Sequence, residues 1–352
     1  MQFGLNFFPC VGPEQKSAEQ YFREVLHLVS LTDELGYSHV RQAEHYFHPY
    51  GGYTPSPIVF LTAASQRTKR ARLITGAVLP AFNSPLKIAG EVGMLDGISG
   101  GRLEVGFGRA FLPHEFAQFG VGLDESRRRF TEGLAQVTLL LKDEKVSSQG
   151  EFHSFRDVTS LPRPTQRPHP PLWIAATATP ESFEFAGRVG CKIMGIPLEP
   201  DKMRSMIGAY REAWRSAGHP GNGHVMNTFF MHCAPARAEA MELGARHCND
   251  HLRGLADVTS SWLSGANTKD YPGYDKLAAQ LASDTVEKQV AKGSAWLGSP
   301  ADIVEMIRAY NDKVGGLDSV SLHFSPANMP ADVAERSIRL FAREVMPKVA
   351  AL

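Results

Sequence analysis

Along this chain, short apolar runs alternate with longer stretches in which apolar residues recur every three or four positions. That switching of period predicts a strand followed by a helix, repeated. Met1–Phe8 reads as the first strand. Glu14–Gly36 reads as a helix with Phe22, Val25, Leu26 and Val29 on one face and Gly36 as its stop. The next pairs are Ser38–Glu44 with Thr54–Thr68, Leu73–Leu79 with Pro85–Ile98, and Leu103–Gly108 with Asp124–Lys142. Pro171–Thr177 with Pro180–Gly190 and Lys192–Ile196 with Asp201–Ala217 follow. Val225–Ala234 with Arg237–Leu252 and Asp318–Phe324 with Asp332–Val345 complete eight alternations. Eight strand–helix pairs predict an α/β fold, a (β/α)8 TIM barrel, as one domain over residues 1–352. A doubly wound open sheet is the alternative, weakened by the lack of GxGxxG after the first strand.

Three stretches break the rhythm. Gly108–Gly122 reads as a long loop after strand four. Lys145–Pro170 carries Pro162, Pro164, Pro168 and Pro170, so it reads as an extended excursion. Leu255–Leu297, an insertion after strand seven, contains Gly265, Asn267 and the run Tyr271-Pro272-Gly273-Tyr274. A segment of that length outside the barrel rhythm is either a lid, at about 255–297, or a decorative insertion.

Composition narrows the field. Lys plus Arg and Asp plus Glu both number 37, which gives no electrostatic reason to expect nucleic acid or an anionic membrane. No apolar run approaches the ~20 residues of a spanning helix, and the start of the chain reads as a strand rather than a signal peptide. Cys10, Cys191, Cys233 and Cys248 show no CxxC pairing, so reduced thiols in a cytoplasmic, enzyme-sized protein are expected.

In a barrel of this kind chemistry gathers at the C-terminal strand ends. Strand two ends in Glu44-His45-Tyr46-Phe47-His48, strand three in Thr75-Gly76-Ala77, strand four in Gly106-Phe107-Gly108-Arg109, and strand five in Ala176-Thr177-Ala178-Thr179-Pro180. Thr179 suits an N-cap and Pro180 a first helical residue, and a helix N-terminus suits a phosphate. Arg109 on the adjacent strand would complete such a site, and Gly106 and Gly108 would let a ligand approach. The bland reading is a well-capped helix and a surface arginine. His45 is read either as a structural histidine or as a catalytic one. No metal is expected: Glu44 points to the face opposite His39 and His45, and no ligand spacing such as HExxH occurs. Phe7, Phe8, Phe47, Phe82 and Phe111 suggest an apolar substrate pocket, although phenylalanine is equally ordinary core. Gly90 and Gly93 on the third helix would admit either a partner or a neighbouring helix.

At these residues the chain resembles the bacterial-luciferase-like family of flavin-dependent monooxygenases, with similarity to its alpha-subunit branch from Met1 to Pro347. The resemblance rests on Glu44-His45-Tyr46-Phe47, Val78-Leu79-Pro80, Glu91 through Arg102 (EVGMLDGISGGR) and Gly106-Phe107-Gly108-Arg109. Ala176 through Ser182 and Phe341 through Pro347 add to it. It implies a (β/α)8 barrel and FMN, used as reduced FMNH2 supplied by a separate flavin reductase. The implied reaction oxygenates a small-molecule substrate with O2 through a C4a-hydroperoxyflavin. By the same resemblance, Arg109, Ala176, Thr177 and Thr179 would hold the FMN phosphate, with Gly108 beside them. The flavin ring would lie over Thr75, Gly76 and Ala77, where relatives often carry a non-proline cis peptide. His45 matches the catalytic histidine, with Glu44 positioning flavin or histidine. Tyr46 replaces a second histidine of luciferase itself, so light emission from an aldehyde is not implied. Thr268-Lys269-Asp270-Tyr271 resembles the luciferase mobile loop. A homodimer is expected. The competing readings are an F420-dependent oxidoreductase and a non-catalytic flavin-binding or partner subunit.

Overall fold

The computed structural model describes residues 1–177, 179–265 and 268–352; Ala178 of the strand-five turn and Asn267 of the long insertion lie outside the described residues. In chain order the elements begin with β1 (Gln2–Phe7), α1 (Ala18–Glu34), β2 (His39–Gln42), α2 (Pro57–Ser65), β3 (Arg72–Thr75) and α3 (Pro85–Ser99). Then come β4 (Leu103–Phe107), α4 (Pro113–Phe119), α5 (Ser126–Lys142), β5 (Val146–Gln149) and β6 (Ser154–Val158). The second half holds β7 (Leu172–Ala175), α6 (Pro180–Arg188), β8 (Lys192–Gly195), α7 (Pro200–Ser216), β9 (Val225–Cys233) and α8 (Arg237–Thr259). It closes with α9 (Tyr274–Ala282), α10 (Val286–Lys292), β10 (Trp296–Gly298), α11 (Pro300–Val314), β11 (Ser319–His323), α12 (Ala331–Glu344) and α13 (Met346–Val349).

Parallel ladders run β1–β2–β3–β4–β7–β8–β9–β11 and return from β11 to β1, where Gln2 pairs with Ser319. The sheet therefore closes, and the molecule is a (β/α)8 barrel with insertions after its fourth and seventh barrel strands. Both faces of the strands are covered: β4 and β11 are buried at every position, polar residues included. Helices open at Ser84-Pro85 and Thr179-Pro180 as expected, at Ser56-Pro57 rather than Thr54, and also at Ser299-Pro300, where none was expected.

Each interruption contains structure that the apolar rhythm alone did not announce. Gly108–Gly122 holds α4, opened by Pro113 and stopped by Gly120 at φ 64°. The proline-rich excursion holds an antiparallel hairpin of β5 and β6. In the third, α8 runs on to Thr259, and β10 then lies parallel beside β9, pairing Trp296 with Met231. Helix α11 fills the gap before β11, with a reciprocal capping box between Ser299 and Asp302. Gly93 fits its own chain: a Cβ there would stand 2.0 Å from the Pro162 carbonyl oxygen.

The N-terminal end of the barrel is sealed by charge. Glu104 accepts from Arg72 Nε at 2.9 Å, Lys192 Nζ at 2.9 Å and Trp173 Nε1 at 2.7 Å. Burial works against its ionisation, but Lys192, Arg72 and Trp173 hold its carboxyl below the usual range. No helix among the described residues is long and apolar enough to cross a membrane.

Candidate active site

The other end of the barrel is its mouth. Beyond β2 the chain keeps its alternation through Ala43, Glu44 and His45, which sends the last two side chains to opposite faces. His45 is buried against Phe8, stacked at 5.4 Å, with Tyr50 at 5.6 Å and the edge of Phe111 at 6.0 Å. The turn that follows passes close over it. A Cβ at Gly51, where φ is 79°, would stand 2.5 Å from His45 Cβ, so only glycine fits.

His45 Nδ1 lies 3.0 Å from Oε1 of Glu115, which is fully buried on α4 and also accepts from the Tyr46 backbone N–H at 2.9 Å. A carboxylate at Nδ1 fixes that nitrogen as the donor and leaves Nε2 free to accept or release a proton. Nε2 makes no hydrogen bond among the described residues, and Glu115 Oε2 is buried without a partner. Sequence reasoning missed Glu115 because it took this stretch for a loop. The signals that would have found α4 are Pro113 and Gly120 at either end.

Glu44 faces outward, away from His45. It accepts from Tyr46 Oη at 2.6 Å, Asn83 Nδ2 at 2.8 Å and the Leu79 N–H at 3.3 Å. It borders a cavity of about 110 Å³ with Ser56, Lys87 and Glu91. Burial raises its pKa to about 7, against those hydrogen bonds and with help from the charge of Glu115. Its contacts are with the helix-facing side of the barrel wall, so it does not touch the imidazole.

On the adjoining strands the mouth is lined by small residues. The Gly76–Ala77 peptide is cis, at one of the two positions expected from the resemblance. A Cβ at Gly106 would stand 2.1 Å from the Thr75 carbonyl oxygen, and one at Gly108 3.1 Å from Ala77 Cβ. Thr75 is buried and ties the strands together through Oγ1, which donates to Gly106 O at 3.0 Å and accepts from Gly106 N at 2.8 Å. Ala176 donates its N–H to Met194 O at the end of β7, and Thr177 follows it in the turn. Thr179 is the N-cap of α6, but its hydroxyl pairs with Ser182 Oγ at 2.7 Å rather than capping a backbone N–H. No side chain caps the first turn of α6, although the Ser182 N–H donates to Thr179 O at 3.1 Å.

Arg109 follows β4, the strand that pairs with β7 ahead of α6. One guanidinium N–H donates to Asp270 O at 2.5 Å, and the group lies over the Tyr271 ring, 4.3 Å from its centroid. Tyr271 Oη in turn donates to Ala110 O at 2.6 Å, and Trp262 Nε1 to Phe111 O at 3.1 Å. The stretch from 268 to 274 is therefore folded down onto Arg109 and the strand-four turn.

A model of the luciferase-like monooxygenases matches residues 1–315. The chain belongs to that family. Its structure superposes on monooxygenase RslO1 of Streptomyces bottropensis with a TM-score of 0.89 and 40% identity, covering 99% of both chains. The oxygenase component of the flavin-dependent trigonelline monooxygenase of Acinetobacter baylyi is 32% identical over 217 residues, 60% of this chain. That match spans 59% of the relative, so the chain covers little more than half of its length. An F420-dependent glucose-6-phosphate dehydrogenase of Amycolatopsis mediterranei is 26% identical across 96% of this chain and 97% of its own.

The five phenylalanines of the chain separate into groups. Phe8 and Phe111 flank His45. Phe82 stacks on Phe119 at 4.6 Å in a neighbouring cluster with Tyr46 and Phe116. Phe7 points to the other face and packs in the core against Phe60 and Phe324, away from the mouth. Phe47 is 62% exposed, with φ 61°. Alternation separates Phe7 from Phe8, and the turn after Tyr46 carries Phe47 outward.

Proposed function

We propose that this chain is the oxygenase component of a two-component monooxygenase, taking reduced FMN from a separate reductase and O2 to oxygenate a small organic substrate. The single observation that carries the proposal is the gathering at one barrel mouth of His45, oriented by Glu115, and Arg109, at the end of the strand that pairs with β7 ahead of the α6 N-terminus, which no side chain caps. FMN fits this donor set. Its phosphate monoester suits Arg109 and the first turn of α6, with Ala176, Thr177 and Thr179 around it. Its flat ring suits the small residues Thr75, Gly76, Ala77 and Gly108. When bound, reduced FMN supplies the two electrons and the oxygen-activating chemistry.

The protein's own contribution is position, exclusion of water and proton handling. Glu115 holds the imidazole at Nδ1, and His45 Nε2 gives or takes the proton at the reacting centre. Phe8 and Phe111 surround it with apolar surface that keeps water away. Glu44 acts from behind the wall by fixing Leu79 and Tyr46. Residues 255–297 serve as the lid, latched through Tyr271 and Asp270. A homodimer follows from the apolar surface of α2 and α3, where Val59, Met94 and Ile98 are 69%, 54% and 47% exposed. We place the enzyme in the cytoplasm.

The full-length match to an F420-dependent enzyme favours a second reading, hydride transfer with F420. Anaerobic titration with reduced FMN and with reduced F420, followed by admission of air, separates the two. Tight binding of reduced FMN, with reoxidation kinetics changed from those of free FMN, supports the oxygenase. Tight F420 binding inert to air would replace it, and binding of neither would leave a partner subunit.

A further inference from the structure

Arg41 is a half-buried cation without an anion. It lies on β2 inside the barrel, where Nη1 donates to Asn6 Oδ1 at 3.1 Å and Thr228 Oγ1 at 2.8 Å, and Nη2 donates to Gly76 O at 2.9 Å. All three acceptors are neutral, and among the described residues no carboxylate comes within salt-bridge distance of it. Its Nε is buried with no partner at all. The anion one layer below is by contrast paired: Glu104 is shared by Arg72 and Lys192. Burial pulls the Arg41 pKa down to about 10, which leaves it cationic at neutral pH. An apolar side chain would fill this layer at lower cost, so the charge itself calls for an explanation.

Two features aim the group at the mouth. Arg41 and Thr228 retain partial exposure while Asn6 and Gly76 are buried, so solvent reaches the guanidinium from the open end of the barrel. The strand-three backbone also lies directly against it: a Cβ on Gly76 would stand 2.0 Å from Arg41 Nε. The guanidinium thus sits under the Gly76–Ala77 peptide, the same backbone on which the flavin ring rests in the proposed function, and the inference depends on that reading.

We propose that Arg41 is the counter-charge for the anion of reduced flavin and makes this site select reduced over oxidised FMN. Reduced flavin readily loses a proton near neutral pH and then carries a negative charge in its pyrimidine ring, whereas oxidised flavin is neutral there. A fixed cation stabilises only the former. Coulomb attraction at an effective dielectric of about 20 predicts roughly 10- to 100-fold tighter binding of the reduced form. The same factor must appear in the potential of the bound flavin, as about 30 to 60 mV for two electrons.

The test is anaerobic: dissociation constants for oxidised and reduced FMN, and the midpoint potential of bound FMN, in wild type, Arg41→Met, Arg41→Lys and Asn6→Asp. Asn6→Asp leaves Arg41 in place but gives it a carboxylate partner, so it tests the charge even if Arg41→Met fails to fold. In Arg41→Met and Asn6→Asp the ratio of oxidised to reduced dissociation constants falls at least tenfold, with a potential lower by about 30 mV or more. Arg41→Lys keeps the preference. An unchanged ratio in Asn6→Asp, or equal affinities in wild type, overturns the role of Arg41 and leaves the flavin reading standing. A wild type that binds no FMN overturns both.

Discussion

The two ends of the barrel interior treat polar groups in opposite ways. At the N-terminal end, Glu104 accepts from Arg72, Lys192 and Trp173, so each of these groups finds a partner within one layer. At the mouth, Arg41 Nε and Glu115 Oε2 are buried without partners, His45 Nε2 is unbonded, and Arg109 holds a single backbone carbonyl. Buried polar groups are nearly always satisfied, and a charge left alone in low dielectric is costly. A compensated layer serves stability. A cluster of unsatisfied groups, gathered where barrel enzymes do their chemistry, is a site prepared for something that is not the protein.

The sharpest way to break that contrast is to mutate both ends. Glu104→Ala strands Arg72 and Lys192 in the barrel floor and is expected to cost about 3–5 kcal/mol in urea denaturation. Arg41→Met at the mouth should cost no more than about a third of that; equal losses would mean that the two layers are alike. Next in size is His45→Ala. Product formation with supplied reduced FMN should fall by roughly 10²- to 10³-fold, while the dissociation constant for FMN changes less than about threefold. Arg109→Met is expected to weaken FMN by about 10- to 100-fold but to leave riboflavin, which lacks the phosphate, unaffected. Equal effects on both ligands would detach Arg109 from the phosphate.

The smallest effect concerns the wall between the two faces. Folded Glu44 keeps its proton up to about pH 7, whereas the unfolded chain releases it near the ordinary value of 4.5. The folded state therefore binds more protons between those values, and stability from this group falls as pH rises through that window. Glu44→Gln removes the slope. Its stability relative to wild type should rise by roughly 1 to 2 kcal/mol between pH 5.5 and 7.5 and be flat above.

Much of this was legible in the chain itself. The barrel shows because short strand-like runs alternate eight times with helices of three-to-four-residue period. The divergence of Glu44 and His45 follows from strand alternation alone, and so does that of Phe7 and Phe8, although the sequence reading kept both phenylalanines together. Helix α11 also carried plain signals in Ser299, Pro300 and Gly315. Glu115 is different. It reaches His45 from 70 residues away, and no local pattern pairs them. Arg41 is harder still, since an arginine within a strand reads as a solvent-facing position. Only closure of the barrel surrounds it with Asn6, Gly76 and Thr228.

The most direct measurement is a crystal structure of the protein with FMN bound under anaerobic reducing conditions. The account predicts the phosphate at Arg109 and the first turn of α6, the ring on the Gly76–Ala77 peptide above Arg41, and His45 Nε2 facing the ring. Flavin bound elsewhere, or a mouth still closed by Asp270 and Tyr271 on Arg109 with no ligand in it, would contradict it.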